Sequence, residues 1–224
     1  MNLTLVAYYG REKPSKLQDF IDVSQESLIR DLGEAFKPYT LDQIHGTIIG
    51  LEGIRVGDEI INTNYLNISR KHRSMRLARM IEVVKDRSFL PFSVQIGGYK
   101  AGEIYPFMSR GTHPYLRSFS IQGESAVAMG WPVEESVFPL PLDQLRRKMG
   151  EANLLHKYHL KPGDIDNDFY FVLGTIDRDK LSETDLQSTQ EGMRALLAAR
   201  DPLKLTIGPE NLSIVAYHDP QLPL

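Results

Sequence analysis

Near its start and again near its end the chain carries one phrase: Asn2-Leu3-Thr4-Leu5-Val6-Ala7-Tyr8 is echoed by Asn211-Leu212-Ser213-Ile214-Val215-Ala216-Tyr217. A second echo lies between them, His45-Gly46-Thr47-Ile48 against Leu173-Gly174-Thr175-Ile176. The order is mirrored: strand, helix and His-Gly-Thr come first, then Leu-Gly-Thr, helix and strand. Internal likeness constrains the fold more than composition does, because a repeated unit has to be built twice. With 224 residues and 42% hydrophobic content, the chain can bury one substantial core or two small lobes sharing a sheet region.

The run Gln43 to Gly50 reads as a strand. Alternation places His45 and Thr47 on one face and Ile44 and Ile48 on the other, which packs into a core. An imidazole beside a hydroxyl suits a phosphate: the hydroxyl donates to a non-bridging oxygen and the imidazole handles a proton. A lone strand histidine also serves as an ordinary structural residue.

At these residues the sequence resembles the two-histidine phosphoesterase superfamily, which includes the RNA-ligase-like cyclic phosphodiesterases. The resemblance implies an α+β, bilobal, pseudo-symmetric fold, with antiparallel sheets flanked by helices around a central cleft. It implies one domain over residues 1–224, with approximate halves 1–131 and 132–224 and a His-x-Thr/Ser motif in each. His45 and Thr47 match the first motif, and Thr175 matches the hydroxyl of the second. Leu173 stands in the second histidine's place and can neither take nor give a proton. In that superfamily one histidine is the base and the other the acid on a cyclic or linear phosphodiester. The hydroxyls hold the phosphate, and neither metal nor other cofactor is needed.

Taken in order, Leu3–Tyr8 is a strand, and Pro14-Ser15 opens a helix to about Phe36 with Leu17, Phe20, Ile21, Leu28, Ile29 and Leu32 as its stripe. A helix is expected over the Asn67–Met80 region, where Leu77, Met80, Ile81 and Val84 fall at helical spacing. Traced backward, its stripe reaches Arg73 and Arg70, which either aim at an anionic ligand or form a solvated basic face. Pro91–Tyr99 is a strand, and Arg117–Gln122 with Ser125–Trp131 a hairpin. Between them Arg110, His113 and Arg117 share a hydroxyl-rich loop stiffened by Gly111 and Pro114, a candidate anion site.

Leu142–Leu155 reads as a helix with His156 and His159 near its end, as terminal partners or, less simply, metal ligands without a carboxylate. Strict alternation over Phe169–Ile176 puts Phe169, Phe171, Leu173 and Thr175 on one face and turns Tyr170 away from Thr175. Tyr170 and His113 are nonetheless the candidates for the missing second group. Ser182 starts a helix to about Arg200. Leu203–Ile207 and Leu212–Tyr217 are closing strands, and the tail prolines, Pro220 and Pro223, end the sheet.

Several classes are excluded. There is no cysteine, so thiol catalysis, disulfides and cysteine-ligated zinc are ruled out. No nucleotide-cradling glycine loop is present, Gly123-Glu124-Ser125-Ala126-Val127 lacks the second glycine of a nucleophile elbow, and Asp164–Asp168 lacks the rest of a calcium loop. A net charge of −3 argues against broad nucleic-acid binding while leaving room for a local basic site. The Met1–Val6 start lacks the basic flank of a signal peptide and no apolar run reaches membrane-spanning length, so a soluble, cytoplasmic protein without membrane partners is expected. Three readings follow: a metal-independent phosphoesterase-like enzyme using His45; a module binding a nucleotide or RNA phosphate end without turnover; and a protein-interaction module whose cleft is repacked as core.

Overall fold

The structure is a computed structural model that describes residues 2–217. Among the described residues, eleven strands and six α-helices follow in chain order. They are β1 (Asn2–Ala7), α1 (Ser15–Leu32), β2 (Phe36–Pro38), β3 (Gly46–Gly50), β4 (Gly53–Val56), β5 (Glu59–Asn62), α2 (Thr63–Ser69) and α3 (Leu77–Lys85). Next come β6 (Phe92–Ile96), α4 (Pro114–Arg117), β7 (Phe119–Gln122), β8 (Ser125–Pro132), α5 (Pro141–Lys148), β9 (Phe169–Ile176), α6 (Glu183–Ala199), β10 (Leu203–Ile207) and β11 (Leu212–Tyr217). The tail prolines lie outside the described residues.

Nine strands make one antiparallel sheet that curls as a half-barrel, in the order β10-β6-β8-β9-β3-β1-β11, with β2 also beside β9 and β7 beside β8. Strands β4 and β5 form a separate hairpin. The mixed helix-and-strand character agrees with the sequence. Strands that follow residue 132 take both edges of the sheet as well as a central position, so the two stretches of sequence interleave. The echoed end strands, β1 and β11, pair with each other, Asn2 opposite Tyr217 and Ala7 opposite Leu212.

One face of the sheet and the helices enclose the main core. Leu17, Ile21 and Leu28 of α1 are fully buried there with Leu173 and Phe171 of β9, Ile48 of β3 and Met193 of α6. Helix α6 starts where its capping box dictates, Ser182 and Asp185 each satisfying the other's backbone N–H. A second, aromatic cluster gathers Tyr99, Trp131 and the less buried Tyr105, Phe107, Phe138 and Tyr170.

The expected helix over Asn67–Met80 is divided. Ser69 Oγ bonds back to the Tyr65 carbonyl, Arg70 adopts a left-handed conformation that stops α2, and α3 begins only at Leu77. Arg73 lies in the exposed irregular stretch between them. Helix α5 likewise stops early, and after a 3₁₀ turn over Met149–Ala152 the chain is irregular through His156 and His159.

The two motif strands meet at one pair, Gly46 opposite Phe171. An antiparallel pair has a local two-fold axis, so residues at equal offsets from Gly46 and Phe171 are equivalent. Each strand bulges at the same offset. Against β1, residues Thr47 and Ile49 are paired while Ile48 is the extra residue. Against β8, Val172 and Gly174 are paired while Leu173 is the extra one. The bulges confirm the register: Leu173 answers to Ile48, both buried in the core. His45 therefore answers to Tyr170, and Thr47 to Val172.

Candidate functional site

A cavity of about 350 Å³ straddles this local two-fold. Its floor is made by sheet residues that alternate with core positions: Thr4, His45, Thr47 and Gly50 from β1, β3 and the residue before it, and Ser125, Tyr170 and Val172 from β8 and β9. Ala7 pairs with Gly46 as Ala128 pairs with Phe171, so Thr4 and Ser125 are equivalent too.

His45 is anchored by its Nδ1, which donates to the Gln43 carbonyl at 2.7 Å and leaves Nε2 as the basic nitrogen. Burial, with a contribution from the Lys13 ammonium, pushes its pKa below the ordinary imidazole value against the pull of the Gln43 bond. Burial also lowers Lys13, to about 8, and its ammonium donates to the Tyr8 and Gly10 carbonyls. Gly46 has no room for a side chain, because the Phe169 ring occupies the space where a Cβ would stand.

The wall is a charged network. Asp168 accepts from Ser109 Oγ and Trp131 Nε1, both at 2.7 Å, and from Arg117 Nη2 at 2.9 Å. Asp166 accepts from His156 Nε2 at 2.6 Å and pairs with Arg146 at 3.2 Å. Arg110 reaches both carboxylates, at 3.3 Å and 3.4 Å, and its guanidinium lies 3.4 Å over the Tyr158 ring. Although burial opposes it, the nearby Tyr170, Tyr158 and Glu52 keep Lys157 charged. Arg110, Arg117 and Lys157 thus meet three carboxylates, Glu52, Asp166 and Asp168, in the cavity lining, and the buried Arg146 stands behind them.

Arg110 is projected by the turn Ser109-Arg110-Gly111-Thr112, in which Ser109 and Thr112 exchange backbone hydrogen bonds at 2.9 Å. Its central residues have φ of 48° and 76°. Positive φ at both positions suits glycine or asparagine, so an arginine there is a strained choice held by its ion pairs and the ring beneath it.

The candidates read from the sequence therefore divide. His45, Thr47, Tyr170, Arg110 and Arg117 come together in the cavity lining. Thr175, His113 and Arg73 are not in it. Thr175 answers to Gly50, five residues along β9 from Tyr170, where it pairs with Ser125 on one side and Lys37 on the other. His113 is spent on local structure: Nδ1 accepts from the Tyr115 N–H as the cap of α4, and Nε2 donates to the Glu103 carbonyl. Leu173 is wholly buried and is not the residue facing His45's partner position.

The sequence reading missed Asp166, Asp168, Arg146, Lys157 and Tyr158. One signal existed. Asp166, Asp168, Tyr170 and Val172 are spaced two apart, and all four line the cavity, as one face of an extended chain would. His156 and His159 lie beyond the end of α5, in irregular chain. They pair with Asp166 and Asp143, at 2.6 Å and 2.8 Å, and pin the 153–168 stretch. Among the described residues no cluster of three or more His, Asp or Glu could hold a metal ion, and no helix is long and apolar enough to cross a membrane.

No protein-family model matches the chain, and no curated protein matches it. Among solved structures it is similar to TT0787 of Thermus thermophilus, with 17% identity over 93% of this chain and 81% of that one and a TM-score of 0.36.

Proposed function

We propose that the cavity binds a phosphodiester of nucleotide or RNA type, such as a 2′,3′-cyclic phosphate, and that His45 hydrolyses it without a metal. The observation that carries this reading is the meeting of His45 and Thr47 with Arg110 and Lys157 around one cavity. Thr47 donates to a non-bridging oxygen, and the cations take the remaining phosphate charge. His45, neutral near pH 7 because it is buried, takes a proton from the attacking water through Nε2.

A second reading, recognition without turnover, is favoured by one specific feature. Val172 stands where the two-fold would place a second hydroxyl, so one phosphate contact is missing from the symmetric set.

An assay on 2′,3′-cyclic nucleotides and short oligonucleotides, with and without EDTA, separates the two. We expect turnover that survives chelation and disappears in His45→Ala. Nucleotide binding without products, lost in His45→Ala, would establish recognition instead. Silence in both assays would leave His45 a structural residue.

A further inference from the structure

The register of the motif strands bears on the second proton. Sequence likeness puts a leucine in the second histidine's place, but the two-fold through Gly46 and Phe171 puts Tyr170 there. The matching bulges at Ile48 and Leu173 fix that equivalence independently of sequence likeness. Tyr170 is half-buried at the cavity floor, and its hydroxyl makes no hydrogen bond to another described residue. Lys157 and Arg146 both interact with it electrostatically.

Three other candidate proton carriers are engaged elsewhere. His156 gives Nε2 to Asp166, and its Nδ1 is sealed from solvent. Tyr158 is covered by the Arg110 guanidinium. His113 caps α4 outside the cavity.

We propose that Tyr170 is the general acid of this site, donating its phenolic proton to the leaving oxygen; the inference rests on the phosphodiesterase reading above. In hydrolysis of a 2′,3′-cyclic phosphate, His45 Nε2 takes a proton from water as the water oxygen bonds to phosphorus. The P–O2′ bond breaks, and its electron pair takes the Tyr170 proton to give the free 2′-hydroxyl. The imidazolium of His45 then returns a proton to the phenolate through solvent, so the cycle consumes one water and releases no net proton.

The test compares wild type, His45→Ala, Tyr170→Phe and Tyr170→His in EDTA on a 2′,3′-cyclic nucleotide and on the p-nitrophenyl ester of a nucleoside 3′-phosphate. The aryl leaving group needs little help from an acid. We expect Tyr170→Phe to lower kcat on the cyclic substrate by about 10²–10⁴-fold, with KM little changed, and to act nearly as wild type on the aryl ester. Tyr170→His restores at least tenfold of the loss and moves the alkaline limb of the pH profile toward an imidazole's ordinary value, about 6.5.

Equal losses on both substrates would mean a positioning role and overturn the proposal. Wild-type kcat in Tyr170→Phe, with His45→Ala inactive, would also overturn it while leaving the phosphodiesterase reading intact. If Tyr170→Phe does not fold, Tyr170→His carries the test through its pH profile, an unmoved alkaline limb counting against the proposal. Wild-type protein without His45-dependent turnover would bring down both.

Discussion

Arg146 is the residue on which the site's backbone depends. It is wholly buried, and it donates to the carbonyls of Ile48 at 2.7 Å, Asp166 and Asp168 at 3.0 Å, and Thr47 at 3.3 Å. One guanidinium thus ties the first motif strand to the entry of the second, and it neutralises Asp166 as well. Arg146→Met removes the charge but keeps the volume, leaving four carbonyls and a buried carboxylate without their partner. We expect a loss of about 3–5 kcal/mol in urea unfolding. Arg110 is the opposite case, because its strained turn prefers another residue. Arg110→Asn keeps the turn and removes the cation, so the protein stays folded while nucleotide binding, followed by calorimetry, weakens at least tenfold. Unchanged affinity in that variant would remove Arg110 from the ligand site.

At the scale of elements, the motif strands are placed by contacts no side-chain pattern announces. Gly46 is the one residue of β3 in register pairing with β9, opposite Phe171, and the Phe169 ring fills the space above it. Gly46→Ala forces that ring or the strand to move, a destabilisation of about 1–3 kcal/mol that a thermal melt would register. It also pushes β3 from β9, so His45-dependent turnover falls by more than the change in stability explains. Most strands were legible because they obey period two between turn residues: Phe169–Ile176 occupies the expected span, and α6 starts at its capping box. The bulges were not legible. An extra residue at Leu173 changes which side chains face the cavity, and nothing local distinguishes Leu173 from its neighbours. The shared Gly-Thr-Ile letters therefore aligned the motifs three residues away from their structural register. The charged wall was hidden for another reason: Arg146 on α5 and Asp166 beyond it find their partners only once the sheet has curled.

For the whole molecule, the buried imidazoles set the response to acid. His156 is pushed down to about 4, chiefly by burial and also by Arg146, against the pull of the Asp166 carboxylate. His45 and His159 are lowered as well, burial again leading. In the unfolded chain each imidazole has its ordinary value near 6.5. Between about pH 6.5 and pH 4 the unfolded state therefore binds more protons than the folded one, and stability falls as pH falls through that window. Asp166 acts lower still. Burial alone would raise it, but His156, Arg146 and Arg110 hold it well below the carboxylate range, so its contribution is present above about pH 4 and is lost beneath that. Each histidine that stays neutral on folding adds up to about 1.4 kcal/mol per pH unit to the slope. Urea midpoints measured from pH 7 to pH 4 should fall continuously, and His156→Gln should flatten the curve by about one proton at whatever cost in absolute stability. A slope unchanged by that substitution would mean that His156 is already protonated in the folded protein. In that case the Asp166 ion network carries one more cation than the neutral imidazole gives it. His45 titrates within the same structure, so the acid limb of any hydrolysis should fall below the ordinary imidazole value, in a range where the fold itself is already weakening.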